Sequence, residues 1–383
     1  MNIALLGFGV VCTGVYEILK TLPEYNVKRI LIRNPAKLTM DCMTLDFSDI
    51  ENDSEIDLVV EAIGGLHPAR EYILAALNAK KHVVTANKAV VAAYFEEFIA
   101  AAKENGVKFM VEATSGGGIP WIKNLQRVGR IDEVTELHGI MNGTSNFILS
   151  AMTSEGKDFG DVLKTAQELG YAEADPSADI DGDDVRNKCA ISASIAFGCP
   201  VDVNSILQSG IRHISKADIE WCKENGLVCK LFAAAKRDGD SFDAVVEPVL
   251  LPCDTVEANV PRNYNITCLY GETIGEVKLY GQGAGGFPTG NAIVQDIIDV
   301  NCGSAYDISF GKKLNKAEII TGRYYLHIPE GCSSYKAVLG DVIEKEISTE
   351  NGTAVITKET TPAKIHTFTD GEKSVFVARF HSR

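Results

Sequence analysis

The stretch "NIALLGFGVVCTGVYEILKTL", from Asn2 to Leu22, decides the fold. A short apolar run, Ile3 to Leu6, ends in Gly7-Phe8-Gly9. The residues that follow have helical spacing, with Val11, Val15, Ile18, Leu19 and Leu22 on one side. Strand, glycine turn and helix in this order open a dinucleotide-binding βαβ unit. The first glycine allows the tight turn, and the second lets the backbone approach a pyrophosphate at the helix N-terminus, where amides and helix dipole favour an anion. Cofactor contacts are therefore expected from Gly7, Gly9, Val10 and Val11. The third glycine of G-x-G-x-x-G is Cys12 here, a residue small enough for close helix–strand packing. A glycine-rich turn with no ligand is the plainer reading.

Downstream the alternation continues. "VKRILIR" and "IDLVVEAIGG" read as strands, "HPAREYILAALNAK" as a helix with proline in its first turn, "KHVVTANK" as a strand, "VVAAYFEEFIAAAKENG" as a helix and "VKFMVEAT" as a strand. Strands separated by helices of this length predict right-handed βαβ units and a parallel sheet, an α/β Rossmann domain over residues 1–115. At "TSGGGIPWIKNLQ" the texture changes, and a boundary is placed near Gly116. In the α+β domain expected over 116–286, "IDEVTELHGIMNGTSNFILSAM" and "DAVVEPVLLP" read as strands. "FGDVLKTAQELG", "DDVRNKCAISASIAFG" and "LVCKLFAAAKRDG" read as helices. "FPTGNAIVQDIIDV" is a further helix, capped by Thr289, that returns to the first domain over 287–305. From 314 to 383 the order β-α-β-β-α-β predicts a small ferredoxin-like module.

Bulk properties narrow the function. A net charge of −15 argues against nucleic acid or an anionic membrane as partner. No apolar run is long enough to span a bilayer. Ten cysteines with no C-x-x-C pair fit reduced thiols in a cytoplasmic protein.

Four further stretches carry chemistry. The second strand ends "LIRNPAK", with Arg33 and Lys37 where an acid would bind a ribose 2′-hydroxyl, so a 2′-phosphate and NADP are favoured over NAD; a solvated arginine is the alternative. "VVTANKAVVA" puts Lys88, with Thr85 just before it, where a parallel strand gives way to a helix, within reach of substrate or nicotinamide. "VEATSGGGIP" is either a hinge or an oxygen-lined site for a monovalent cation. Last, "YAEADPSADIDGDDVRNK" sets six carboxylates ahead of Lys188. An EF-hand loop begun at Asp179 would need glycine at position 184 and glutamate at 190, and has neither. A helix begun near Asp183 puts Asp184 and Lys188 on one face at the root of an apolar run, as a surface ion pair or as the lining of a site.

Together these pieces resemble homoserine dehydrogenase, from Asn2 to about Val300. The resemblance rests on "GFGVVCTGV", "VVEAIGG", "HVVTANKAVVA", "EATSGGGIP", "MNGTSNFIL", "ELGYAEADPSADIDGDDVRNK" and "GAGGFPTGNAIVQDI". It implies reversible NAD(P)H-dependent reduction of L-aspartate 4-semialdehyde to L-homoserine, on a Rossmann domain and a substrate and dimerisation domain, in a homodimer or larger homo-oligomer. Lys188 matches the family's proton donor, Lys88 a second lysine near substrate and nicotinamide, and Glu173, Asp179 and Asp184 acids of the substrate pocket. Gly170 and Gly283 match glycines that contact the cofactor. Glu112, Ser115, Gly117 and Ile119 match positions that hold sodium or potassium, mostly through backbone carbonyls. The tail resembles an ACT-type regulatory domain but lacks the usual D-x-P-G-V-L turn, which puts threonine feedback in doubt. Rival readings are another NAD(P)-linked amino-acid reductase on the same fold and a non-catalytic amino-acid-binding regulator.

Overall fold

A computed structural model describes residues 1–381 apart from 350 and 373. Those two positions, and 382 and 383, fall in the expected C-terminal module and lie outside the described residues.

The chain opens β1 (Asn2–Leu6), α1 (Val10–Leu19), β2 (Asn26–Leu31), β3 (Met43–Thr44), α2 (Ser48–Glu51), β4 (Leu58–Glu61), α3 (Ala69–Asn78), β5 (His82–Thr85), α4 (Lys88–Asn105), β6 (Phe109–Met110) and α5 (Trp121–Val128). It continues β7 (Val134–Ile140), α6 (Gly143–Glu155), α7 (Phe159–Glu168), α8 (Ser177–Ile180), α9 (Asp183–Phe197), β8 (Leu207–Gln208), α10 (Lys216–Glu224), β9 (Leu227–Asp238), β10 (Ser241–Pro252), β11 (Tyr264–Gly271) and β12 (Gly275–Gln282). The last part is α11 (Gly286–Asn301), β13 (Asn315–Lys316), β14 (Tyr324–Pro329), α12 (Tyr335–Leu339), β15 (Ile343–Thr349), β16 (Gly352–Thr357), α13 (Pro362–Thr369) and β17 (Phe376–Phe380). Two compact units result, and each gathers separate stretches of chain. The first holds Met1–Glu133, Ile191–Val203 and Leu279–Lys312; the second holds Val134–Ala190, Asn204–Lys278 and the chain from Lys313 onward.

In the first unit six parallel strands run in the order β3-β2-β1-β4-β5-β6, the doubly wound order of a dinucleotide-binding sheet. The central strands are apolar without alternation, because helices cover both faces: β4 is buried at all four positions. The core joins Ile3, Leu5, Val60 and Val84 of the sheet to Val15 and Leu19 of α1 and Ile293 and Ile297 of α11. Helix α11 thus completes this unit from far along the chain. It begins at Gly286 with no side-chain cap, so Thr289 lies inside its first turn and does not cap it, contrary to the sequence reading.

In the second unit a sheet runs β12-β11-β7-β9-β10-β17-β14-β16-β15, with β8 and β13 also paired to β10. Two sequence readings are corrected here. "LVCKLFAAAKRDG" is strand β9, not a helix. Its alanines favour a helix in isolation, but the segment pairs along its whole length with β10, and Glu136 to Gly139 of β7 pair on its other edge. Tertiary pairing overrides a propensity worth only tenths of a kcal/mol per residue. Likewise "IDEVTELHGIMNGTSNFILSAM" is a strand only to Ile140; Asn142 then caps helix α6, its Oδ1 accepting from the Ser145 amide at 2.7 Å. The tail has the expected β-α-β-β-α-β order, with strands arranged β17-β14-β16-β15, and β17 joins this array to β10.

Candidate active site

In the first unit β1 delivers the chain to Gly7, whose φ of +95° turns the backbone while its amide donates to the Leu31 carbonyl at 2.9 Å. Only glycine takes that conformation cheaply. Gly9 is the N-cap of α1, has no side chain to occupy the first-turn amides, and faces open space, since a methyl placed there would meet nothing within 4 Å. Val10 begins the helix 75% exposed and Val11 follows, half-buried. This end of α1 is an uncapped helix N-terminus of the kind that receives phosphate. Gly7 and Gly9 line a cavity of about 770 Å³ that Arg33, Asn34 and Lys37 also line. The side chains of Arg33 and Lys37 are exposed, with no hydrogen-bond or ion-pair partner among the described residues. The residues present therefore fit a dinucleotide.

Cys12 is buried, its thiol 3.8 Å from the Leu6 carbonyl, and burial pushes its pKa up to about 12. A different close approach, of helix on helix, occurs at Gly14, against the start of α11. A methyl there would sit 2.2 Å from the Gly286 carbonyl oxygen.

Lys88 is the half-buried first residue of α4, which Asn87 caps through its Oδ1. Thr85 is fully buried, and its hydroxyl donates to Glu61 at 2.6 Å and accepts the Asn87 amide at 3.0 Å. That hydroxyl is thus committed within the protein. Glu61, which sequence reasoning passed over, ends β4 and also accepts the Ile63 amide at 2.9 Å. Burial raises its pKa, against the pull of these donors.

The glycine loop after β6 has a different use for its acid. The Glu112 carboxylate accepts the amides of Ile122 and Lys123 at 3.0 and 2.7 Å, the free donors at the start of α5. Its carboxylate is therefore engaged by the helix. Several carbonyls are engaged too, with Gly116 accepting from Ile119 at 2.9 Å and Ile119 from Trp121 at 2.7 Å. The Ser115 hydroxyl is buried without a hydrogen-bond partner among the described residues. Gly117 packs backbone to backbone on Gly283, where a methyl would come 2.4 Å from the Gly283 carbonyl carbon. The cation-loop and cofactor-glycine candidates are thus in contact.

Asp296 of α11 accepts the Glu112 amide at 3.0 Å. Burial, and then the mutual repulsion of the two acids, raises the pKa of Asp296; burial is also the main cause for Glu112. Acids raised in the folded state add stability while protonated, below the ordinary carboxylate range, and lose it as pH rises through the raised values. Asp296→Asn is expected to raise the melting temperature at pH 8, by roughly 2 kcal/mol of stability, and to raise it much less at pH 5. Thermal melts at the two pH values check this, and an equal shift at both contradicts it.

In the second unit the acidic stretch is resolved. Asp181 pairs with Arg212 at 2.6 Å, and Asp183 with Arg186 at 2.9 Å. Asp184 and Lys188, one turn apart on α9, are 6% and 7% exposed. The Lys188 Nζ donates to Asp184 Oδ2 at 2.7 Å and to the Met141 carbonyl at 2.7 Å. Asn142 completes the group: its Nδ2 donates to Asp184 Oδ2 at 2.9 Å and to Asp179 Oδ1 at 2.7 Å. One amide thereby ties two carboxylates that would otherwise repel. Burial, and secondarily Asp184, raises the pKa of half-buried Asp179. Glu173 is exposed and stands outside this hydrogen-bonded group among the described residues. Gly170 ends α7 in a left-handed conformation, φ +75°. Sequence reasoning missed Asn142, whose only signal was its place before a strand-to-helix turn.

A buried amine fixed by a carboxylate is suited to proton transfer, and a glycine-turned helix N-terminus beside a roomy cavity is suited to a dinucleotide. Comparisons with known proteins agree. Residues 7–112 match the model of the homoserine dehydrogenase NAD-binding domain, and residues 120–298 match the homoserine dehydrogenase model. The chain belongs to the homoserine dehydrogenase family. It is 43% identical to the homoserine dehydrogenase of Synechocystis sp. over 316 residues, 78% of this chain and 73% of that one. The crystal structure of a homoserine dehydrogenase from Thiobacillus denitrificans superposes with a TM-score of 0.88 at 34% identity, covering 100% of this chain and 98% of that one. A hyperthermophilic archaeal homoserine dehydrogenase in complex with NADPH superposes with a TM-score of 0.71 at 25% identity, over 80% and 99% of the two chains. The protein is thus an oxidoreductase with a nicotinamide cofactor. Among the described residues no helix is long and apolar enough to cross a membrane.

Proposed function

We propose that in the homoserine dehydrogenase reaction Lys188 gives the proton to the carbonyl oxygen of L-aspartate 4-semialdehyde and takes it back from L-homoserine. The observation that carries this is the 7% exposed Lys188 amine, held at 2.7 Å by both Asp184 and the Met141 carbonyl. When bound, the nicotinamide cofactor supplies hydride in one direction and accepts it in the other. Negative charge then builds on the substrate oxygen, and a pre-positioned ammonium stabilises it at little reorganisation cost. Asp184 orients the amine, and Asn142 fixes Asp184. Asp179, Asp184 and exposed Glu173 supply the negative potential that draws the substrate ammonium. Lys88, at the carboxyl end of β5, is the second lysine of the reaction.

Arg33 and Lys37 select NADP. Their supports are the shared cavity with Gly7 and Gly9 and the absence of an acid at the end of β2. Arg33→Ala is expected to raise the KM for NADP about 10–100-fold, the value of one or two charge-assisted hydrogen bonds, and to leave the KM for NAD within about twofold. Equal losses with both cofactors would remove this assignment. Glu112, Ser115, Gly117 and Ile119 hold a sodium or potassium ion, mostly through backbone carbonyls, and Gly170 and Gly283 approach the cofactor. The enzyme works in the cytoplasm as a homodimer or larger homo-oligomer; its ten free cysteines suit a reducing compartment.

A further inference from the structure

His138 and Cys268 are directly opposed on β7 and β11. Side chains opposed in an antiparallel pair leave the sheet on one face, and here Glu257, from the loop before β11, joins them. The imidazole, thiol and carboxylate offer three donor atoms within 4.8 Å of one another, all in buried residues. Glu257 Oε1 lies 3.2 Å from Cys268 Sγ and 3.7 Å from His138 Nε2. A tetrahedral zinc ion with ligand distances of about 2.0–2.3 Å places its donors about 3.5 Å apart, so the spacing is that of a site needing little adjustment.

A second observation points to a ligand. His138 is 4% exposed; its Nδ1 lies 3.4 Å from Glu136, and its Nε2, 3.7 Å from Glu257, makes no hydrogen bond among the described residues. A buried ring nitrogen that makes no hydrogen bond is costly. The ring is also held in place, stacked on Phe232 at 5.5 Å with an interplanar angle of 10°. On one side the three residues meet the sheet; on the other, His138 and Glu257 line a cavity of about 660 Å³, through which an ion can enter and a fourth ligand can bind.

We propose that His138, Glu257 and Cys268 form a site for a borderline-soft divalent cation, zinc by preference, independent of Lys188 and its reaction. The nitrogen, oxygen and sulfur donors select zinc over magnesium or calcium, which take oxygen alone. Zinc takes a thiolate and a neutral imidazole, so binding releases to solvent the Cys268 thiol proton and any proton that the His138 ring carries beside Glu136 and Glu257. Lys278 now reaches Glu257 Oε1 at 2.8 Å and also Glu276 at 3.1 Å. It keeps Glu276 when the ion takes Glu257. The ion clips β7, β11 and the loop at Glu257 together.

The test is cobalt(II) titration of the purified full-length enzyme, a probe whose thiolate bond gives a near-ultraviolet charge-transfer band. One equivalent per chain is expected to develop the band, and zinc to displace it. Cys268→Ser is expected to abolish the band, while Cys253→Ser and Cys302→Ser, at exposed cysteines, leave it intact. Glu257→Gln is expected to weaken zinc binding about a hundredfold, since even outer partners of a metal ligand are worth about 10–100-fold. Lys278→Met, which removes the competing cation, is expected to strengthen it. No band with the unaltered enzyme, or a band that survives in Cys268→Ser, overturns the proposal. Should Cys268→Ser not fold, anomalous scattering from zinc-soaked crystals of the unaltered enzyme decides: a peak among the three side chains supports the site, and its absence overturns it.

Discussion

Lys188→Ala is expected to lower homoserine turnover about a thousandfold, the usual worth of a positioned general acid and base, while binding NADP with near-parental affinity. The cofactor candidates other than Gly170 lie in the first unit, whereas Lys188 belongs to the second. The substitution also takes the ammonium away from buried Asp184, which keeps the Asn142 amide, so some stability is lost. A purely structural lysine predicts that the activity loss tracks the unfolded fraction. The proton-transfer account predicts that folded enzyme is inactive. Melting temperature, cofactor titration by fluorescence and steady-state turnover on one preparation separate these. Lys188→Arg keeps the charge but changes the reach, and is expected to recover stability without recovering turnover.

Gly14→Ala is expected to lower stability by about 3 kcal/mol, the upper end of ordinary overpacking, and the melting temperature by about 8 °C. The obstructing atom is the backbone carbonyl oxygen of Gly286, 2.2 Å from the new methyl, so α1 and α11 must separate. Those helices share the core that seats β1, and cofactor affinity falls with it. The contrasting variant is Cys12→Gly, which restores the sequence fingerprint. It is expected to cost about 1 kcal/mol, because glycine inside a helix is unfavourable and the buried thiol already fits. Calorimetry on both variants checks the pair. A stabilising Cys12→Gly with a harmless Gly14→Ala would contradict the packing described above.

These variants show where the sequence was legible. The parallel sheet was readable because its strands are buried on both faces and so are almost continuously apolar, as in Leu58 to Val60. The Asp184–Lys188 pair was readable because a helix repeat fixes the spacing of residues four apart. Helical repeat alone could not separate β9 from a helix: Ala233 to Ala235 suit either, and the deciding partners, β7 and β10, lie elsewhere in the chain. Gly14 drew no attention for the same reason, since its constraint comes from Gly286, 272 positions later in the sequence. Asn142 and Glu61 were missed because a buried amide or carboxylate reveals its work only through its partners. The tail's element order was legible from turn residues and alternation, whereas its continuity with β10 through β17 rests on a pairing that no local pattern encodes.

The most direct test of the central claim is a crystal structure of the enzyme with NADP and L-homoserine, read at one distance. The account predicts the Lys188 Nζ at about 3 Å from the homoserine hydroxyl oxygen, with Asp184 still bonded to the amine. A hydroxyl oxygen bonded to other groups, with Lys188 held only by Asp184 and the Met141 carbonyl, would contradict it.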